Sequence, residues 1–158
     1  MSFITYLNEI QRTGSKTDRA EYTGEKEFQR LKPHLKELIS LDEYTLYKYF
    51  DTLFLSKDDK YIAYLDGTND KLNNKKSYYI TVMHSEERGS MLKMFEMMKH
   101  LKYVYIVSDV LISDDALKFY EKIMKLKKYF AINYKDETVE ITNDELLSNP
   151  DYRIVINL

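Results

Sequence analysis

The hydrophobic positions in the first third of the chain recur every three to four residues, the spacing of amphipathic helices. Residues 3–10 carry one apolar stripe after a polar start and predict a short N-terminal helix. Residues 12–24 are polar and predict a loop. Residues 25–40 predict a second helix, which Pro33 either kinks or divides into two. Residues 42–50 begin with a capping aspartate and predict a further helix.

The hydrophobic period changes after residue 52. Residues 53–55 and 61–65 are short apolar runs on either side of a charged turn, a pattern that predicts a β-hairpin. Residues 68–77 are polar and predict a loop. Residues 78–83 are aromatic and β-branched, and they predict a strand.

Helices and strands alternate in the rest of the chain. Apolar positions over 91–101 predict a helix of about three turns. The continuous apolar run at 103–107 predicts a strand buried on both faces. Ser113 or Asp114 caps the next predicted helix. The remaining segments are predicted as strands at 129–141 and 152–158, with one helical turn between them at 143–149. This order indicates a mixed α/β (α+β) fold with a central mixed β-sheet flanked by helices.

Length and composition favour one globular domain over residues 1–158. Only four glycines and two prolines interrupt the chain, and no segment resembles a linker. The chain has no cysteine, and its three histidines are scattered without the spacing of metal ligands, so we expect no metal site. Its net charge of −2 argues against nucleic-acid binding.

The N-terminal residues and the lengths of the apolar runs bear on localisation. No apolar run approaches the ~20 residues that span a bilayer. The first residues lack the charged head and the long apolar stretch of a secretory signal. We therefore expect a cytoplasmic protein that does not contact membranes.

Residues 83–93 (MHSEERGSMLK) join a predicted strand to a predicted helix. This segment resembles the phosphate-binding motif of the GNAT acyltransferase superfamily, which typically reads V-H-P-E-Y-R-G-x-G-x-G. In such a turn, backbone N–H groups at a helix N-terminus receive a pyrophosphate, and glycines allow its close approach. The resemblance implies that the acyl-CoA-binding residues are Met83, Arg88, Gly89, Ser90 and Lys93. Met91 and Lys93 stand where the family has its next two glycines.

Residues 113–122 (SDDALKFYEK) resemble the second motif of the same family, N-x-x-A-x-x-F-Y-E-K. The family's Gly-Phe pair after this motif is missing here. The match implies that Tyr120 is the general acid for the departing thiolate and that Ser113, at the family's Asn position, lies near the cofactor. Glu86 is a candidate general base, with four alternatives left open: Asp66, His84, Glu87 and Asp109. The lysines at 118, 122, 125, 127 and 128 form either a solvated helix face or a contact to the cofactor phosphates.

The resemblance implies two functions, which differ in whether the chain performs chemistry. The first is an N-acyltransferase that moves an acetyl group from acetyl-CoA to an amine acceptor. The second is a catalytically inactive scaffold of the same fold that binds another protein, which the two missing glycines favour. A small chain without cysteine and rich in lysine and tyrosine also suits a phage-encoded protein, either a virion component or a host-directed factor.

Overall fold

A computed structural model describes residues 16–158, with side chains described from Gly24 onward. The helix predicted at 3–10 lies outside these residues. The described part contains four α-helices and nine β-strands. In chain order the elements are α1 (Lys16–Leu31), a 3₁₀ turn (Lys32–His34), β1 (Lys36–Leu41), β2 (Tyr44–Tyr49), β3 (Thr52–Lys57), β4 (Lys60–Leu72), β5 (Lys75–Ser85), α2 (Ser90–His100), β6 (Tyr105–Val107), α3 (Asp114–Met124), β7 (Tyr129–Ile132), β8 (Thr138–Val139), α4 (Asn143–Ser148) and β9 (Arg153–Asn157).

All nine strands form one sheet in the order β1-β2-β3-β4-β5-β6-β9-β7-β8. Strands β1 to β5 form an antiparallel meander. β6 is parallel to β5, and β9 then inserts between β6 and β7 in the antiparallel sense. The prediction of a mixed α/β fold is therefore confirmed: the described residues form one mixed sheet together with helices.

The larger core lies on the sheet face that α2, α3 and α4 cover. Helix α2 contributes Met94 and Phe95, and helix α3 contributes Tyr120 and Ile123, all at most 1% exposed. They pack against strand residues such as Ile106, which is fully buried. Burial of each such side chain contributes about 1.5–3 kcal/mol to the free energy of folding. This face, which holds the larger core, therefore supplies most of the hydrophobic stabilisation.

Two smaller clusters occupy the other face of the sheet. Phe28 of α1 packs against Phe54 and Tyr61, with ring centroids 5.9 and 5.8 Å away. This contact holds α1 over the meander. Farther along the sheet, a second cluster is centred on Val107 and Val155, both 0% exposed.

Three predictions for the N-terminal third were wrong. The predicted loop at 12–24 is helical from Lys16 onward, as part of α1. The helix predicted over 25–40 ends at Leu31, and β1 follows. A register shift between Glu37 and Ile39 lets both Leu38 and Ile39 reach the core, and this broken alternation imitates a helical spacing.

The helix predicted at 42–50 is strand β2. Asp42 has φ 54 and turns the chain between β1 and β2 instead of capping a helix. Strand β2 pairs with a neighbour on each side, and its tyrosines and threonine suit a sheet. Pairing with distant residues therefore overrides the local helical spacing.

The predicted loop at 68–77 is the end of the β4–β5 hairpin. Asn73 and Asn74 form its two-residue turn, with φ values of 50 and 62, and asparagine tolerates this left-handed region. Most side chains near the hairpin end are exposed, which explains why the segment is polar although it is paired.

The remaining secondary-structure predictions are confirmed, with shifts at the ends of elements. The predicted hairpin, the strand at 78–83, both long helices and the turn at 143–149 are present. The strand predicted at 129–141 divides into β7 and β8 around a turn. Of the described helices, none is long and apolar enough to span a membrane.

Candidate functional site

The sheet opens between β5 and β6, its two parallel neighbours. The strands pair at only three positions, where Ser77–Tyr79 meets Tyr105–Val107. Beyond Tyr79, β5 continues to Ser85 and pairs with β4 as its strand neighbour. The chain after β6 stays with β9 instead, since Ser108 N–H donates to the Ile154 carbonyl at 2.8 Å. A gap therefore separates the second half of β5 from the loop that follows β6.

A β-bulge marks the point where the strands separate. Asp66 pairs with Val82 and Gly67 with Ile80, so Thr81 is an extra residue on β5. The Thr81 hydroxyl donates to the Asp66 carbonyl at 3.1 Å. A Cβ at Gly67 would lie 2.0 Å from the Tyr79 carbonyl oxygen, so the two backbones approach this closely only because residue 67 is glycine.

A cleft of about 560 Å³ lies at the end of β5, between the first turns of α2 and α3. We refer to it as the α2–α3 cleft. Its lining comes from the end of β5, the turn that follows, the start of α2 and one face of α3. The lining residues are Met83, His84, Ser85, Glu86, Gly89, Met91, Leu92, Ser113, Asp115, Ala116, Phe119 and Lys122.

The first turn of α2 presents backbone N–H groups at this cleft. Gly89, the N-cap residue, has φ 86, and no atom lies within 4 Å of the position where its Cβ would be. The N–H groups of Met91 and Leu92 belong to the first turn, where a helix offers them no carbonyl partner. This turn carries no acidic residue. Its partial positive charge is therefore available to an anion.

Hydrogen bonds fix the turn that leads into α2. Ser85 Oγ donates to the Glu87 carbonyl at 2.7 Å, and Ser90 N–H donates to the same oxygen at 3.2 Å. Glu86 N–H donates to the Ile62 carbonyl of β4 at 2.8 Å. The backbone of the turn is thus held by both ends and by the neighbouring strand, so its N–H groups keep their direction.

The charged side chains of the α2–α3 cleft are two carboxylates, Glu86 and Asp115, and the ammonium group of Lys122. His84 also lines it and stacks on Tyr61, with ring centroids 6.5 Å apart. Burial raises the pKa of Tyr61 above its usual range, and the Glu86 carboxylate raises it further. An anion in this cleft must therefore rely on the backbone N–H groups and on Lys122.

Three predicted cofactor contacts, Arg88, Ser90 and Lys93, lie outside the lining. Lys93 Nζ is 3.3 Å from a Glu96 carboxylate oxygen and 5.0 Å from the ring centroid of Tyr44, so its charge is held along α2 and towards β2. Arg88 is exposed on the turn beside the cleft. Ser90 is 4% exposed and begins α2 beneath the turn.

The residues of the second motif lie at the inner end of the cleft. Ser113 Oγ accepts from Ala116 N–H at 3.3 Å and caps α3. Tyr120 is 1% exposed and lines a narrow space of about 20 Å³ in the β5–β6 gap. Met83, Ser113 and Ala116 line both this space and the α2–α3 cleft, so the two adjoin.

The structure thus brings Met83, Glu86, Gly89 and Ser113 to one cleft, with Tyr120 at its inner end. Sequence reasoning missed Leu92, Asp115 and Phe119. A signal for the last two was present, because positions 115, 116, 119 and 122 have helical spacing and share one face of α3. The same spacing places Lys122 on this face of α3 and leaves Lys118, the other lysine of the helix, outside the lining.

No protein-family model matches the chain, and no curated protein matches it in sequence. Among the side chains that the structure describes, from Gly24 onward, no group of three or more acidic or histidine residues is placed to hold a metal ion.

Proposed function

We propose that this protein binds acyl-CoA in the α2–α3 cleft and transfers the acyl group to an amine. The observation that carries the proposal is that the α2–α3 cleft adjoins the β5–β6 gap. The first-turn N–H groups of α2 face the cleft, and the Tyr120 side chain lines the gap at its inner end. A ligand with an anionic group at one end and a reactive thioester at the other would place the anion at these N–H groups and the thioester next to Tyr120.

The edge of β5 supports the same ligand class. Beyond Tyr79, no described strand pairs with β5 on the side away from β4, so that edge of β5 borders the gap. The pantetheine arm of CoA is a flexible chain with amide groups, which are suited to pair with such an edge. The pyrophosphate would then lie at Gly89 and Lys122, where the backbone N–H groups point.

The replaced glycines do not obstruct this binding mode. Met91 is 5% exposed and packs into the core beneath the cleft. Lys93 is held against Tyr44 and Glu96. The space over Gly89 therefore stays open although both residues have long side chains.

The proposed reaction uses two side chains. Glu86 removes a proton from the ammonium form of the acceptor, and the resulting amine attacks the thioester carbonyl. The carbon–sulfur bond breaks, and Tyr120 donates its phenolic proton to the departing thiolate. The phenolate then recovers a proton from the nitrogen of the new amide. Proton transfers of this kind typically contribute 10²–10⁴-fold to a rate.

A second candidate is a scaffold of the same fold that binds a protein and catalyses nothing. The carboxylates of Glu86 and Asp115 favour it, because they repel a pyrophosphate in the same cleft. Such a scaffold fits a virion component or a host-directed factor of a phage. It predicts that acyl-CoA does not bind.

Thermal unfolding with and without acetyl-CoA and CoA tests the proposal. A ligand at a hundred times its Kd adds about 2.7 kcal/mol of stability. In a domain of this size that corresponds to a melting shift of roughly 5–10 °C. Lys122→Glu should reduce the shift, whereas Lys118→Glu should not, because Lys118 lies on the same helix but outside the cleft lining.

Acetyl transfer to an amine, measured by release of free CoA, separates binding from catalysis. Tyr120→Phe should lower kcat by about tenfold or more while the melting shift with acetyl-CoA stays the same. The absence of a shift at millimolar acetyl-CoA would contradict the proposal and favour the scaffold. Equal shifts for both lysine variants would contradict the assigned phosphate position.

A further inference from the structure

A second cleft, of about 780 Å³, lies where β5, β9 and the β7–β8 turn meet. We refer to it as the Arg153 cleft. Tyr79 lines it from β5, and Arg153 lines it from β9. Tyr79 packs with the Val107–Val155 cluster, whereas its neighbours Tyr78 and Ile80 belong to the core under α2 and α3. Because successive residues of a strand point to opposite faces, this cleft lies on the face away from those helices.

Arg153 is the principal cation of this cleft. Its guanidinium carbon lies 5.8 Å from the ring centroid of Tyr79, so the ring orients the planar group. The side chain is half-buried, and none of the ion pairs formed within the described part of the chain includes it. A partly desolvated guanidinium without a carboxylate partner is well suited to receive a carboxylate through two parallel hydrogen bonds.

Two carboxylates, those of Asp136 and Asp151, line the same cleft. Asp136 accepts from the Tyr79 hydroxyl at 3.5 Å. Its turn is held by Asn133, whose Oδ1 accepts from the N–H groups of Lys135 at 2.9 Å and Glu137 at 3.1 Å. The position of Asp136 is therefore held by its turn, and no ion pair among the described residues joins it to Arg153.

The combination of charges selects the ligand class. A simple anion would meet two carboxylates, and a simple amine would meet the guanidinium, so each is repelled by part of the lining. A ligand with both an ammonium and a carboxylate group is attracted by both. The cleft also has aromatic walls from Tyr79, Tyr134 and Tyr152, and Tyr134 is 84% exposed at the rim. These rings favour a planar side chain on the ligand.

The Arg153 cleft is next to the β5–β6 gap. Tyr79 and Val110 line the Arg153 cleft. Their neighbours in the chain, Ile80, Asp109 and Leu111, line the narrow space in the gap. An amine held in the Arg153 cleft is thus on the far side of the sheet from the α2–α3 cleft and next to the residues that line the gap.

We propose that the Arg153 cleft binds a zwitterionic amino acid with an aromatic side chain, and that this amino acid is the acyl acceptor. Arg153 receives the carboxylate, and Asp136 receives the ammonium group. For this acceptor the carboxylate that removes the ammonium proton is that of Asp136, because Glu86 lies beyond the end of β5 in the other cleft. The role as acceptor rests on the proposed function, whereas the binding itself does not depend on acyl-CoA.

Three related probes test the charge requirement by NMR titration of the whole protein without acetyl-CoA. L-Phenylalanine carries both charges, 2-phenylethylamine lacks the carboxylate, and 3-phenylpropionate lacks the ammonium group. We expect phenylalanine to bind at millimolar concentration and at least about tenfold more tightly than either other probe. Equal affinity of phenylalanine and either other probe, or no binding of any probe, would overturn the proposal.

Substitutions test which side chain of the cleft binds the carboxylate of the ligand and which binds its ammonium group. Arg153→Gln should abolish the preference for phenylalanine over phenylethylamine, and Asp136→Asn should abolish its preference over phenylpropionate. Arg30→Gln is the matched control, because Arg30 is exposed on α1 and pairs with Glu27 there. Arg153→Lys keeps the charge and gives an intermediate preference if Arg153→Gln does not fold. Unchanged preferences in folded Arg153 variants would contradict the assignment.

The acceptor role has its own readout. Acetylation of phenylalanine that Arg153→Gln lowers through a higher KM, with kcat retained, supports it. If phenylalanine binds and acetyl-CoA gives no melting shift, the proposed function fails while the amino-acid site stands. If acetyl-CoA binds and other amines are acetylated while phenylalanine is not bound, the amino-acid site fails and the proposed function stands.

Discussion

Replacing Gly67 with alanine should destabilise the protein strongly, because the new Cβ meets backbone atoms. It would lie 2.0 Å from the Tyr79 carbonyl oxygen and 3.0 Å from Cε1 of the Tyr78 ring, whereas real Cβ atoms essentially never approach closer than 3.0 Å. Strands β4 and β5 must therefore separate by about 1 Å at the bulge, in an interior that tolerates little displacement. The neighbouring bond from the Thr81 hydroxyl to the Asp66 carbonyl, at 3.1 Å, depends on the same geometry.

The magnitude follows from two costs. Overpacking costs about 1–3 kcal/mol. Loss of two hydrogen bonds near the bulge costs about 1 kcal/mol each. We expect the free energy of unfolding to fall by about 3–5 kcal/mol and the Tm by roughly 10 °C.

Urea unfolding followed by circular dichroism measures this change, and Gly89→Ala provides the matched control. A Cβ at Gly89 meets no atom within 4 Å, so its cost is limited to a left-handed backbone at φ 86, about 1–2 kcal/mol. The reasoning is refuted if Gly67→Ala costs no more than Gly89→Ala. It is equally refuted if Gly67→Ala stays within about 0.5 kcal/mol of the unchanged protein.

Three further predictions concern single side chains. Ser113→Ala removes the cap of α3 and should lower the free energy of unfolding in urea by about 1 kcal/mol; no change would contradict the capping role. Tyr78→Phe removes donation to two backbone carbonyls, at 2.5 and 3.2 Å, and should cost about 1–3 kcal/mol in the same assay, whereas a neutral result would show that both bonds are dispensable. Burial and the Asp136 carboxylate raise the pKa of Tyr79 to about 12, and burial raises that of Tyr78 still further. Because unfolded tyrosine titrates near pH 10, their stabilisation is complete below about pH 10 and is lost as the pH rises through the folded values. Urea unfolding at successive alkaline pH values should show this loss, with a smaller slope in Tyr78→Phe; an unchanged slope would contradict the burial argument.

The sequence predicts elements well where the local pattern and the tertiary environment agree. Helix α3 has a capping serine and an apolar stripe, and the prediction that it begins at Ser113 or Asp114 was confirmed. Strand β1 is the opposite case. Its register shift after Glu37 brings Leu38 and Ile39 to the core together, and a single sequence cannot distinguish that arrangement from helical spacing. The turn at Asn73 and Asn74 did carry a local signal, since two adjacent asparagines suit left-handed positions.

The candidate site was less predictable, because it arises from contacts between distant elements. The gap exists because β6 pairs with β5 over three residues and then follows β9, a choice between partners far apart in the chain. Motif position and helix phase also differ for one charge. Lys93 stands where a glycine occurs in the family that the chain resembles, and it contacts Tyr44, while Lys122 reaches the cleft from α3. Helix phase decides which lysine lines the cleft.

The β5–β6 gap lies between the two clefts, and its position matters for transfer of a group from one cleft to the other. The α2–α3 cleft offers backbone N–H groups and one lysine on one face of the sheet, and the Arg153 cleft offers a guanidinium and two carboxylates on the other. Under the two proposals, the bound ligands meet where β5 lacks its β6 neighbour. The bulge at Thr81 lies at this point and is held by Asp66 and Gly67. A change at Gly67 that leaves the protein folded should therefore disturb transfer between the ligands more than it disturbs the binding of either one.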